Sequence, residues 1–302
     1  MRYFKLLKNL TRKYSIKQLY EFFYWEIIKP IFLIPSRLIF GNFNGLRKNI
    51  LPRINFFFKS FNYHYDKKSD SYKIAKKFKK EGYLIIKKES QLLVNEICKQ
   101  YHEAFAKKEN QIRIKNGGLI FIKDPLKNIP SIKKILHNKI DSILRNYYKN
   151  KYYVHSIGAW RINHIESDNP NKDVGISNAL HNDGAGAKTI QIFFLISDNV
   201  NRSNGSTKFL NKRDSIRICR NPLYFSRKYL PRKIYNEISN KLNYFEGNSG
   251  DILILHTDLC LHGSSIPNKS TYRDIIGLTL KPHKEILETQ VMFKIIKNYY
   301  NN

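Results

Sequence analysis

His181-Asn182-Asp183, with His262 far downstream and Arg273 soon after it, constrains this chain more than any other feature. A histidine and a carboxylate at i and i+2 share one face of an extended strand. Two imidazoles and one carboxylate fill one face of an octahedron and leave three positions open. That is the donor set of a non-haem iron(II) site. The fold must then bring His262 to His181 and Asp183, and a facing strand is expected to carry it. An arginine after the second histidine supplies a planar fork for a carboxylate, such as that of a 2-oxoacid.

The spacing needs context. With 9 His and 24 Asp+Glu in 302 residues, chance gives about 0.7 occurrences of His-x-Asp/Glu. Five occur: His64/Asp66, His164/Glu166, His181/Asp183, His256/Asp258 and His283/Glu285. His64 stands in a basic, aromatic stretch with no strand after it. His283 has no room for a distal partner. His256 and His262, read as one strand, would lie about 20 Å apart at roughly 3.3 Å per residue, too far to share a metal. Two candidates remain. His164/Glu166 leads into a polar loop, whereas His181/Asp183 leads into Gly-Ala-Gly-Ala and the apolar run Thr189 to Ile196. The second reads as ligands at a strand end opening onto a cavity.

Several ordered blocks carry a resemblance. They are Leu180-His181-Asn182-Asp183, Phe194-Leu195-Ile196-Ser197-Asp198-Asn199-Val200, Asn204-Gly205-Ser206-Thr207-Lys208-Phe209-Leu210, and Gly250-Asp251-Ile252-Leu253-Ile254-Leu255-His256-Thr257 running on to Leu261-His262-Gly263-Ser264 and Arg273. Over residues 66 to 282 the chain resembles phytanoyl-CoA dioxygenase-type proteins, iron(II)- and 2-oxoglutarate-dependent oxygenases. The resemblance implies a mainly β fold with flanking helices, built on a double-stranded β-helix or jelly roll. It implies that His181, Asp183 and His262 hold Fe(2+), that Arg273 pairs with the distal carboxylate of 2-oxoglutarate, and that Ser264 assists it. Because Asp183 is present where related halogenases lack the carboxylate, it also implies hydroxylation. One departure stands out: many members have Gly-Ser-His after the Asn-Gly block, and here Asn211-Lys212-Arg213-Asp214 replaces it.

Further basic residues compete for the pocket. Lys188, five residues past Asp183, is a candidate for co-substrate or substrate, with a solvent-facing lysine as the alternative. Arg161 and Asn163 alternate with Trp160 and Ile162, so either pair can face the barrel interior. Three cysteines, Cys98, Cys219 and Cys260, are odd in number and widely spaced. That pattern implies no disulfide framework and points to a reducing, cytoplasmic setting. Cys260 reads as a core cysteine.

The net charge is +30, from 54 Lys+Arg against 24 Asp+Glu. Such a balance calls for an anionic partner. It divides unevenly along the chain. Residues 1–60 carry 12 Lys/Arg and two acids, and Tyr3, Leu6, Leu7, Leu10 and Tyr14 follow helical spacing. The expected organisation is therefore a basic, aromatic-rich helical N-terminal element over 1–65 and an oxygenase domain over 66–302. The N-terminal element suits the inner face of an anionic membrane, or else packs on the core. Its apolar run is broken by Glu26, Lys29, Pro30, Pro35 and Arg37, too often to span a bilayer as one helix. No nucleic-acid-binding module is recognisable.

Within 66–302 the pattern predicts helices over 72–80, from the Ser90 cap to about 107, and over 131–148. Strands are expected at 83–86, 152–165, 189–196, 207–210, 251–256, 259–263 and 274–280. The leading functional expectation is oxidation of a small, lipid-linked or saccharide-linked anionic molecule. A metal-free basic jelly roll that only binds anions, and a nucleic-acid oxidative demethylase, remain alternatives.

Overall fold

A computed structural model describes residues 68–88, 90–114, 118–149, 152–165, 179–183, 188–219, 232–282 and 292–293. The element expected over 1–65 lies outside the described residues. No described helix is long and apolar enough to cross a membrane.

The helices are α1 (Asp70–Glu81), α2 (Gln91–Ala106), the short α3 (Pro125–Asn128), α4 (Asn138–Tyr148), α5 (Lys212–Cys219) and α6 (Arg232–Ile238). The strands are β1 (Tyr83–Ile86), β2 (Gln111–Ile114), β3 (Leu119–Ile122), β4 (Tyr152–Asn163), β5 (Ile190–Leu195), β6 (Thr207–Phe209), β7 (Asn243–Phe245), β8 (Ile252–Leu255), β9 (His262–Ser264), β10 (Tyr272–Pro282) and β11 (Met292–Phe293). A large sheet runs β1-β8-β5-β10-β4-β3-β2, with β11 beside β4, and a small sheet runs β7-β6-β9. The chain is mainly β with flanking helices, a double-stranded β-helix core.

Local sequence sets the entry to this core. Ser69 caps α1 by accepting from the Tyr72 amide at 3.3 Å. Gly82 ends it in the left-handed region, φ 83°, which a β-carbon would disfavour. The chain turns there into β1, whose four residues pair in antiparallel register with β8.

Register gives the large sheet two distinct faces, because residues paired across antiparallel strands project to the same side. Ile276, Phe194, Ile192, Ile252 and Ile254 lie on the helix-covered face. They are buried with Phe78 of α1, Val94, Ile97 and Tyr101 of α2 and Leu144 and Tyr148 of α4. Each such side chain contributes about 1.5–3 kcal/mol by leaving water. The opposite face carries Arg273, Ile275, Gly277 and Thr279 of β10, level with Ile162, Trp160, Gly158 and Ser156 of β4. This face looks across to the small sheet, and Ile275, Leu195, Phe193, Leu253 and Leu255 pack there with Phe209 and Phe245.

Two sequence expectations change. The helix expected over 131–148 is a 3-10 segment, Pro130–Ile135, followed by α4. The break falls at His137, whose backbone is extended. The strand expected over 259–263 begins only at His262, because Thr257–Cys260 form a tight turn in which the Leu259 and Cys260 amides return to the His256 carbonyl. His256 and His262 therefore do not share a strand. The departure at Asn211–Asp214 is a helix cap. The Asp214 amide donates to Asn211 Oδ1 at 2.8 Å, and Asn211 Nδ2 donates to Asp214 Oδ2 at 2.9 Å.

Candidate metal centre and anion pocket

His181 and His262 form an antiparallel bridge that extends the small sheet by one residue. The two residues exchange both backbone hydrogen bonds, at 3.0 and 2.9 Å, so their side chains leave the same face. The ring centroids are 4.5 Å apart. His262 thus stands beside His181 in one sheet, not across the barrel on a facing strand as the sequence suggested. Asp183 follows, its amide bound to the Thr257 carbonyl at 3.3 Å. Its Oδ1 lies 3.5 Å from Nε2 of both histidines.

The donor chemistry fits a metal ion. Each histidine has Nδ1 at a carbonyl: His181 at Ala179 O, 2.9 Å, and His262 at Cys260 O, 3.1 Å. Those bonds put the ring proton on Nδ1 and leave the Nε2 lone pairs converging on the carboxylate. A cation suits that gap. One ligand atom from each residue lies within 4.8 Å of the others. Without a cation, protons at Nε2 would have to fill that gap: burial opposes ionisation of Asp183, but a charged His262 and hydrogen bonds from Nε2 of the rings then outweigh it and hold the carboxyl below its usual range, and a metal ion would take the place of those protons. Gln191 of β5 donates from Nε2 to Asp183 Oδ2 at 3.1 Å. Sequence reasoning missed Gln191. Its signal is a polar residue inside the apolar run that starts at Thr189.

Arg273 is 2 % exposed. Its guanidinium crosses the barrel to Thr207 Oγ1 of β6 at 2.8 Å and Ser264 Oγ of β9 at 3.2 Å. Among the described residues its Nε has no hydrogen-bond partner and no carboxylate forms an ion pair with it. Burial alone pushes its pKa down to about 9, so it stays cationic at neutral pH. A buried charge with only hydroxyl partners is a strong anion receptor. Ser264 and His262 are i and i+2 on β9, roughly 7 Å along the strand. The Thr207 contact was also missed, since nothing in a lone threonine marks it.

The structure does not bring Arg161 to this cluster. It pairs in register with Asp274, on the helix-covered face. Its Nε and Nη2 bind the two Asp274 oxygens at 2.8 and 2.7 Å, and Phe105 and Tyr272 flank it at 4.1 and 3.8 Å. The pocket reading of Arg161 is therefore corrected: the Trp160/Ile162 face looks into the barrel, and Asn163 goes with Arg161. Lys188 stands in the turn before β5 with a left-handed backbone, φ 61°, after residues outside the description. His256 packs against Tyr147 at 6.2 Å, and His164 Nδ1 lies 2.7 Å from the Pro267 carbonyl. Neither joins the cluster. Glu166 lies outside the described residues. Cys98, Cys219 and Cys260 are free thiols, the last two buried.

Neither a protein-family model nor a curated protein matches the chain by sequence. Solved structures do match by shape. SnoN from nogalamycin biosynthesis, a non-heme alpha ketoglutarate dependent epimerase, has been solved with Fe3+, alpha ketoglutarate and nogalamycin RO. It superposes with a TM-score of 0.52 at 11% identity, over 70% of this chain and 83% of its own. EctD from S. alaskensis, solved with 2-oxoglutarate and 5-hydroxyectoine, gives 0.52 at 12% identity, over 73% of this chain and 80% of its own. At these identities the likeness is one of fold, and the chain shares the double-stranded β-helix of both.

Proposed function

We propose that this chain is an iron(II)- and 2-oxoglutarate-dependent oxygenase. His181, Asp183 and His262 hold the iron, and Arg273, assisted by Ser264 and Thr207, grips the distal carboxylate of 2-oxoglutarate. Iron with 2-oxoglutarate supplies oxidative decarboxylation coupled to oxidation of a second molecule by dioxygen. The carrying observation is the pairing of two half-sites: a three-donor cluster, and one strand repeat away a buried guanidinium with no carboxylate partner. That spacing, roughly 7 Å, suits a five-carbon dicarboxylate held at both ends. A metal-free anion binder leaves the converging Nε2 atoms and carboxylate without a purpose.

This chain's own groups do the positioning. The Nδ1 bonds fix both imidazole orientations, and Gln191 fixes the carboxylate. Leu195, Ile275 and Phe193 line the barrel behind the site and exclude water from it. Asp183 favours hydroxylation over halogenation, and the sequence blocks favour a phytanoyl-CoA dioxygenase-type member. The substrate is a small, lipid-linked or saccharide-linked anion, and the composition of residues 1–65 suits work at an anionic membrane surface on the cytoplasmic side.

The test is succinate release from 2-oxoglutarate by the purified full chain with iron(II) in air. His181→Ala, Asp183→Ala and His262→Ala should each abolish it without unfolding the chain. Turnover that survives Asp183→Ala and disappears in Glu166→Ala would move the carboxylate role to Glu166.

A further inference from the structure

Along the interior face of the large sheet, the buried apolar residues Ile275, Leu195 and Phe193 give way to partly exposed ones. Gln191, Thr279 and Ser156 form one row across β5, β10 and β4, and all three are half-buried. Gln191 touches Asp183, so this row borders the metal cluster. The next row outward is Lys281 and Tyr153, paired in register and also half-buried. Between the rows the register slips, because His155 is an extra residue in β4. A bulge of this kind re-aims a side chain. Here it turns the imidazole to Tyr153, with ring centroids 6.1 Å apart at 75°.

We propose that Lys281 and His155, walled by Tyr153, form an oxyanion-binding subsite one row beyond Gln191, Thr279 and Ser156. It selects substrates that carry a phosphate, sulfate or carboxylate a few bonds from the carbon presented to the metal. The inference rests on the oxygenase reading above and names its substrate class.

Three observations support it. Two half-buried basic side chains flank Tyr153, Lys281 in register with it and His155 against its ring, and among the described residues His155 Nδ1 is buried without a partner. Among the described residues Lys281 makes no ion pair, and the Asp258 carboxylate acts on it only from beyond ion-pair distance. Burial lowers the pKa of both groups, and the charge of Lys281 lowers that of His155 further. Such a pair is unfavourable as it stands and becomes favourable around an anion. Position adds the third argument. Lys281 is i+2 from Thr279, roughly 7 Å beyond the row that touches Asp183. An oxyanion held there extends its carbon skeleton toward the cluster. The net charge of +30 would also steer anions to such a subsite.

The experiment is anaerobic calorimetry on the full chain loaded with iron(II) and 2-oxoglutarate. The probes are inorganic phosphate, benzyl phosphate and benzyl alcohol, with phosphatidic acid vesicles in a parallel sedimentation arm. Both phosphates should bind and benzyl alcohol should not. Lys281→Gln and His155→Gln should each weaken benzyl phosphate by about tenfold or more, and Lys281→Arg should restore most of the loss. Vesicle binding that depends on Lys281 supports the subsite and assigns the anion to a lipid headgroup. Phosphate binding that ignores both substitutions, or no phosphate binding by a correctly loaded chain, overturns it. Loading is read separately on the same samples. If iron and 2-oxoglutarate fail to bind while phosphate still binds through Lys281, the oxygenase reading falls and the subsite stands.

Discussion

Gln191 Nε2 donates to Oδ2 of Asp183 at 3.1 Å, and it does so from the sheet opposite the one that carries His181 and His262. The two sheets are therefore tied at the proposed ligand. Gln191→Leu keeps similar bulk and removes the donor. Iron(II) affinity should fall about 10- to 100-fold, with little change in thermal stability. Unchanged iron affinity would show that the cluster orients Asp183 without Gln191.

Arg273 sets stability against function. Its buried guanidinium is satisfied only in part by Thr207 and Ser264. Arg273→Lys keeps charge and loses the fork, so 2-oxoglutarate affinity should fall more than tenfold while iron affinity holds. Arg273→Met should raise the melting temperature of the ligand-free chain and abolish the thermal shift that 2-oxoglutarate gives the parent chain. Co-substrate affinity that survives both changes would move the anchor elsewhere, with Lys188 next to be tested.

Lys208 gives a pH signature from the face of the small sheet opposite the metal cluster, its backbone paired with Gly263 beside His262. It lies on the outer face of the small sheet, 7 % exposed, with its ammonium 5.7 Å from the Tyr235 ring. Burial lowers its pKa from 10.5 to about 8. Between those values the unfolded chain keeps a proton that the folded chain has lost, so stability should rise with pH across that window. Lys208→Met should stabilise the chain at pH 7 by up to about 3 kcal/mol, and the gain should shrink as pH rises above about 8. Denaturant titrations at several pH values check this, and a gain independent of pH would contradict it.

Gly158 and Gly277, paired across β4 and β10, form a shelf under the Trp160 indole, and a β-carbon at Gly277 would strike the ring. The ring also meets Phe193 and Phe121 edge-on or tilted, at 6.5 and 5.8 Å. Gly277→Ala should destabilise the fold by about 1–3 kcal/mol and shift the Trp160 emission, read in a Trp25→Phe background. An unaltered spectrum and melting temperature would mean the indole can move aside without cost.

Much of this was legible in the residues. β1 matches its four-residue apolar run, and α2 begins at the Ser90 cap, because both signals are local. The three clustered side chains were picked out by the order of the blocks around them. The bridge that joins His181 to His262 was not, since pairing across 81 positions leaves no local trace. The break before α4 was hidden because Ile132, Ile135, Ile140 and Leu144 keep burying on one side through it. Arg161 was ambiguous for a related reason. Both faces of the large sheet are covered, so alternation along β4 shows that residues face opposite ways but not which way is the barrel.

The central claim is that one cluster and one arginine hold iron and 2-oxoglutarate together. The most direct measurement is anaerobic addition of 2-oxoglutarate to the iron(II)-loaded full chain, followed by visible absorption. The account predicts a charge-transfer band at about one iron per chain, lost in Asp183→Ala and requiring far more 2-oxoglutarate in Arg273→Lys. A folded chain that binds no iron(II), or that binds it and shows no band at saturating 2-oxoglutarate, would contradict it.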